Sequence, residues 1–180
     1  APGLRGFERL QETHDAVFVA GGAWQETEAG IAGEECLLSG TELLRSADLE
    51  KVRGKSVAVI GGGNTAIDVA RTLLRVGARP VVMYRRTRAE MPALAEEVEK
   101  AEAEGVRFEF LTTPVAAAGG GGAVDLTCCR MELGEPDASG RPRPVRVEGS
   151  EFEVQCDAVL KAIVERPDYS FLPPELVDDR

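Results

Sequence analysis

Ser56-Val57-Ala58-Val59-Ile60-Gly61-Gly62-Gly63-Asn64-Thr65-Ala66-Ile67 is the stretch on which the fold turns. A short β-rich run, Ser56 to Ile60, stops at three glycines, and a helical pattern begins directly after them. Ile67, Ala70 and Leu74 recur at helical spacing on one face, and Gly77 stands where a left-handed residue closes a helix. Gly61 to Ala66 fits G-x-G-x-x-A. Such a hexapeptide means little alone, but here it follows a predicted strand and opens a predicted helix. Gly61 permits the tight turn, Gly63 lets backbone approach a pyrophosphate, and Ala66 keeps helix and strand close. The helix start adds free N–H groups and a partial positive charge.

Working outward, Val81-Val82-Met83 predicts a second strand. Pro92 suits the first turn of a second helix, whose apolar face is Leu94, Val98 and Ala101 and whose end is Gly105. Arg107 to Leu111 predicts a third strand. This β-α-β-α-β alternation demands parallel strands with helical crossovers. Beyond it, Ala116 to Ala123 is Ala/Gly-rich and reads as a flexible turn. Val124 to Leu133 and Val145 to Val154 read as strands around a polar turn, Gly134 to Pro144, forming an antiparallel excursion. Asp157 to Ile163 is an apolar run that rejoins the parallel sheet. Upstream, Asp15 to Ala20 reads as a buried strand, Trp24 to Glu50 mostly as linker, with a short helix within Thr41 to Leu49. The predicted fold is a three-layer, Rossmann-type α/β domain with an antiparallel β excursion.

The end of the second strand bears on which nicotinamide cofactor suits this fold. An NAD site usually places an acid there, about 20 residues past the motif, to bind the ribose 2′-hydroxyl. Here the strand runs into Met83-Tyr84-Arg85-Arg86-Thr87-Arg88. The planar guanidinium fork suits a 2′-phosphate, and Tyr84 or an arginine plane suits an adenine face. The reading is NADP(H), with Gly61, Gly62, Gly63, Asn64, Thr65, Ala66, Tyr84, Arg85, Arg86 and Arg88 as cofactor-binding candidates.

Composition narrows the partners. The chain has 180 residues and a formal net charge of −10, which argues against nucleic acid and an anionic membrane surface, because both need a basic face. No apolar run is long enough to span a bilayer. Cys36, Cys128, Cys129 and Cys156 form no C-x-x-C pair, so they read as reduced cytosolic thiols, and no metal site is expected. Cys128 and Cys129 would point to opposite faces of a strand, which disfavours a mutual disulfide. His14 reads as a surface residue, Asp68 as a carboxylate complementing a helix dipole, and Glu96, Glu97, Glu99, Glu102 and Glu104 as a solvated helix face. Lys161 reads as an edge residue with a snorkelling side chain. Trp24 reads as packing or as surface for another domain.

VAVIGGGNTAIDVARTLLRVGA (57–78), VVMYRRTRAEMPALAEEVEKAEAEGVRFEFLTTPV (81–115) and MELGEPDASGRPRPVRVEGSEFEV (131–154) together resemble the NADPH-binding domain of the glutamate synthase small-subunit family. That family belongs to the pyridine nucleotide–disulfide oxidoreductase superfamily. The resemblance implies an NADPH domain inserted in an FAD domain, with hydride passing to the flavin and electrons onward to iron–sulfur centres or a large partner subunit. It implies that Gly61, Gly63, Asn64, Thr65 and Ala66 hold pyrophosphate and that Arg85 and Arg86 hold the 2′-phosphate. DAVFVAGGA (15–23) resembles the strand leaving the FAD domain, and DAVLKAIVERPDYSFL (157–172) the strand preparing to return. Residues 1–53 then read as exit strand and linker, 54–166 as the NADP(H) domain and 167–180 as return linker. The flavin loop, the following flavin segment and the cysteine-rich region of the family are expected outside this stretch, so the chain alone is expected to purify without FAD, inactive and colourless. Where relatives carry a glycine, this chain has Val164, a branched side chain on the expected nicotinamide side. Dihydropyrimidine dehydrogenase-like and ferredoxin–NADP(H) electron-transfer parents, or a non-catalytic nucleotide-binding scaffold, stay open as alternatives.

Overall fold

Val57, Val59, Val82 and Leu160 are almost completely buried, each worth roughly 1.5–3 kcal/mol relative to exposure. They share one face of a parallel sheet, and the sheet's other face is equally apolar, which is why these strands read as continuous rather than alternating runs. The computed structural model describes residues 4–46, 49–120, 122–138, 140–163 and 165–177. In chain order the elements are α1 (Leu4–Thr13), β1 (Ala23–Glu26), β2 (Leu38–Ser39), α2 (Gly40–Ser46), β3 (Ser56–Ile60), α3 (Asn64–Arg75), β4 (Arg79–Tyr84) and α4 (Ala95–Glu104). There follow β5 (Arg107–Phe110), β6 (Thr112–Gly120), β7 (Ala123–Pro136), β8 (Pro142–Arg146), β9 (Phe152–Cys156), β10 (Ala158–Lys161) and β11 (Glu165–Pro167).

The chain divides into two units, one spanning Glu28–Ile163 and the other made of Ala1–Thr27 with Val164–Arg180. In the first, five parallel strands run in the order β2-β10-β3-β4-β5. Val57, Val59, Val82, Ala158 and Leu160 pack on α3 and α4 through Ala66, Ile67, Val69, Ala70, Leu73, Val98 and Ala101. Ala58, Ile60, Met83 and Val159 face the other way, onto Leu126, Cys128 and Cys156 of an antiparallel sheet in which β7 pairs with β6, β8 and β9. The three layers are helices, parallel sheet and antiparallel sheet. The expected return to the parallel sheet is β10, seated between β2 and β3.

Several expectations change. Ala116 to Ala123 lies mostly within β6 rather than a turn, paired with β7 from Thr112 to Gly120. Its small residues serve a close approach that overrides their low strand propensity. The Ala117 N–H donates to the Ala32 carbonyl at 2.8 Å, and a Cβ on Gly33 would meet the Ala117 carbonyl. Residues 28–53, expected mostly as linker, belong to the α/β unit and supply β2, while the short helix expected within Thr41 to Leu49 is α2. The strand predicted over 145–154 is two strands, β8 and β9, split by a turn at Gly149 (φ 70°). The helix predicted from Pro92 starts at Ala95, and Leu94 is its exposed N-cap.

Lys161 is not an edge residue either, since its strand is interior. Its ammonium meets Glu34 Oε1 at 3.0 Å, half-sheltered, while Glu34 also accepts the Ala29 and Gly30 N–H groups. Burial pushes the Glu34 carboxyl up, but the Ala29 and Gly30 N–H groups together with Lys161 outweigh it and hold it below its usual range.

In the second unit β1 pairs antiparallel with β11, a contact the linker reading did not anticipate. The strand expected over Asp15 to Ala20 does not form, and Phe18 is 93% exposed. An apolar run becomes a strand only when neighbouring strands take its N–H and C=O groups. His14 lies on the surface as expected. Val164 lies outside the described residues, as does any statement on the Trp24 side chain. No described helix is long and apolar enough to cross a membrane.

Candidate functional site

The C-terminal ends of adjacent strands β3 and β4 stand side by side, with Ile60 paired to Met83. Each continues into a turn that carries a candidate motif. In open α/β sheets this end of the strands is where ligands bind.

The glycines of the first turn are required for three different reasons. Gly61 has φ 147°, and a Cβ there would lie 2.2 Å from the Ala162 carbonyl oxygen and 3.2 Å from the Ala66 Cβ. A Cβ on Gly62 would lie 2.4 Å from the Tyr84 ring. Gly63 has ordinary extended φ, and a Cβ there meets nothing within 4 Å. The chain's own packing thus accounts for Gly61 and Gly62, while a Cβ on Gly63 would face open space. Among the described residues no backbone acceptor takes the N–H of Gly63, Asn64 or Thr65, whereas Ala66 and Ile67 bond back to the Gly63 carbonyl. The helix start therefore keeps free donors. Asn64 is exposed, and its Oδ1 accepts the Leu94 N–H at 2.9 Å.

The second turn sorts the arginines. Arg86 is 3% exposed, its Nε donating to the Pro142 carbonyl and its Nη2 to Asp137 Oδ2, both at 2.7 Å. It ties the end of β4 to the β7–β8 hairpin. Arg88 pairs with Glu102 at 3.0 Å and lies 3.9 Å from Glu99. Arg85 is exposed and has no hydrogen-bond or ion-pair partner among the described residues. The two neighbouring arginines are therefore not equivalent. Tyr84 is also occupied, since its ring lies under Gly62 and its hydroxyl donates to the Glu90 carbonyl at 2.7 Å.

Glu90, Ala93, Leu94, Asp137 and Pro142 shape this site without having been singled out from the sequence. Thr87 and Glu90 form a reciprocal cap, a pattern legible as Thr-x-x-Glu. The Ala93 N–H donates to the Gly62 carbonyl at 3.2 Å. Nothing local signals Asp137 or Pro142, which lie 51 and 56 residues from Arg86 in sequence. The acidic face of α4 is likewise not simply solvated. Arg71 on α3 pairs with Glu97 and, at 2.5 Å, with Glu104. Its hydrogen bond holds the Glu104 carboxyl down at about 2. The helix that begins at the glycine loop is thereby fastened to the helix that follows the arginine turn.

No described cluster of His, Cys, Asp and Glu could hold a metal ion. Cys128 and Cys129 are both buried, and burial pushes the Cys128 thiol up to about 12.

A strand, a glycine turn, a helix start with free donors and a basic end on the next strand define a Rossmann-type α/β domain. Residues 8–172 match the family model described as pyridine nucleotide-disulphide oxidoreductase, and the chain belongs to that family. It is 49% identical, over 92% of its own length and 25% of the relative's, to the NADP(+)-dependent formate dehydrogenase subunit beta of Moorella thermoacetica. It is 38% identical to the glutamate synthase [NADPH] small chain of Escherichia coli K12, covering 88% of this chain and 37% of that one. Its fold matches Mycobacterium tuberculosis FprA, solved in complex with NADPH, with a TM-score of 0.75 at 20% identity over 93% of this chain and 53% of that one. The chain spans about a quarter to two fifths of the length of these curated relatives.

Proposed function

We propose that this chain is the NADP(H)-binding part of a flavin-dependent oxidoreductase subunit of the glutamate synthase small-subunit kind. The observation that carries the reading is the juxtaposition, on adjacent strand ends, of Gly63 facing open space and Arg85 without a partner among the described residues. Gly63, Asn64 and Thr65 offer N–H groups to the pyrophosphate, and Ala66 keeps α3 close behind them. Arg85 takes the 2′-phosphate first. Arg88 is the second contact, released from Glu102, and Arg86 fixes the strand end behind them. Gly61, Gly62 and Tyr84 shape the loop.

When bound, the reduced nicotinamide supplies a hydride, which a flavin held on another part of the protein accepts. The chain's own share is binding and orientation, and no side chain here needs to act as acid or base. The names of the relatives, two of them subunits specified for NADP(+) or NADPH, support the cofactor and a multi-subunit setting. A large or iron–sulfur subunit as partner and a cytoplasmic location, in keeping with the unpaired buried thiols, complete the proposal.

Calorimetric titration with NADPH, NADH and ADP-ribose tests it. Binding of NADPH well above NADH is expected, with no FAD retained by this chain alone. Equal affinity for the two nicotinamides would remove the role given to Arg85, and a stoichiometric flavin absorbance on the isolated chain would overturn the domain assignment.

A further inference from the structure

The segment from Arg85 to Leu94 looks like an ordinary surface connection, yet the glycine loop holds it down at its far end. The Ala93 N–H donates to the Gly62 carbonyl at 3.2 Å, and the Leu94 N–H to Asn64 Oδ1 at 2.9 Å. The near end is held by the Tyr84 hydroxyl on the Glu90 carbonyl and by the cap between Thr87 and Glu90. Leu94 is the N-cap of α4 and has no capping oxygen of its own, so the Asn64 amide carbonyl satisfies a donor that the helix start would otherwise expose. Because an N–H can only donate, the amide oxygen must face Leu94, and that oxygen is engaged by protein. The side chain of a residue in the pyrophosphate motif is thus directed at the other turn, the one that carries Arg85 and Arg88.

We infer that Asn64 is a positioning residue for cofactor selectivity: through Leu94 it fixes the Arg85–Leu94 segment, and so sets the preference for a 2′-phosphate. This inference rests on the NADP(H) reading and deepens it. An Asn64 side chain that served the pyrophosphate directly would strengthen NADPH and NADH equally. One that fixes the arginine segment changes the ratio between them.

The test compares the full chain with Asn64→Ala and Asn64→Asp, using NADPH, NADH and 2′,5′-ADP as probes and amide hydrogen exchange as a readout without any ligand. In Asn64→Ala the NADPH-to-NADH affinity ratio should fall about tenfold, the scale of one hydrogen bond, and 2′,5′-ADP should weaken in parallel. NADH affinity, which has no 2′-phosphate contact to lose, should fall less than NADPH affinity. The Leu94 amide and those of residues 85–90 should exchange faster. Asn64→Asp keeps an acceptor for Leu94, so it should restore the ratio and the protection even where the added charge weakens both nicotinamides. Equal weakening of both cofactors in Asn64→Ala, or unchanged exchange at Leu94, overturns the inference while leaving the NADP(H) reading intact. An unmodified chain that does not prefer NADPH overturns both.

Discussion

The glycine loop after β3 and the arginine turn after β4 each present three copies of one residue type within four positions. In the loop, Gly61 and Gly62 are demanded by the Ala162 carbonyl and the Tyr84 ring, and only Gly63 opens outward. In the turn, Arg86 is held by Asp137 and Pro142 and Arg88 by Glu102, and among the described residues Arg85 alone has no partner. In both places the protein's own packing uses two members of the motif and leaves the third unengaged among the described residues. Resemblance in sequence treats the members alike, whereas surroundings separate positions the protein's packing uses from positions it leaves open.

The largest effect should come from forcing the loop. Gly62→Val drives a branched side chain into the Tyr84 ring and should cost about 3 kcal/mol in a denaturant titration, at the upper end for overpacking. Gly63→Val should stay within about 0.5 kcal/mol of the unmodified chain and instead lose NADPH and NADH binding alike. That loss should be on the order of a hundredfold, about 2.7 kcal/mol. If the two valines behave the same, the division within the loop is wrong.

A smaller contrast separates the arginines. Arg85→Ala should weaken NADPH by about 1.5–2 kcal/mol, the loss of a charged hydrogen bond, with stability and NADH affinity unmoved. Arg86→Ala should mainly lower stability, by about 2 kcal/mol, because it breaks a largely buried pair. Calorimetry and unfolding on the same two variants would sharpen the comparison, and an Arg86 variant of full stability with lost NADPH binding would break it.

The smallest effect concerns the bond between the helices behind the two turns. Glu104 is held at about 2 by Arg71, below its usual 4.5. A depressed carboxylate contributes stability that is complete above the unfolded value and fades as pH falls through the folded one. The contribution should therefore be constant above about 4.5 and decline toward about 2. Arg71→Leu should flatten this acid limb of the urea midpoint, and an unchanged limb would show that the pair does not matter.

The fold's centre was legible because it is local. The strand at 56–60, the glycine stop and the helical face of Ile67 and Ala70 lie within one window, and periodicity reports them directly. The far side of the fold was not, because β6 is written in alanine and glycine, whose strand pairing comes from β7 and whose small size answers the approach of Ala32 and Gly33. Residues 28–53 hid β2 for a related reason, since a two-residue strand has no period to detect, whereas α2 falls where a short helix was expected. The apolar run at 15–20 erred in the opposite direction, with strand composition but no strand formed. Within the site, the glycine motif and basic turn were visible. The burial of Arg86 depended on hairpin residues more than 50 positions away.

The sulfur atoms give the chain a built-in clock for opening. Cys128, Cys129 and Cys156 are buried in the antiparallel layer, while Cys36 is partly exposed. With its thiol pushed up to about 12, Cys128 holds almost no thiolate at neutral pH. An alkylating reagent should mark Cys36 on a fast timescale and then wait for the β6–β9 sheet to part. Intact mass against time, at one fixed pH, would read that parting as a step from single to multiple label without an added dye.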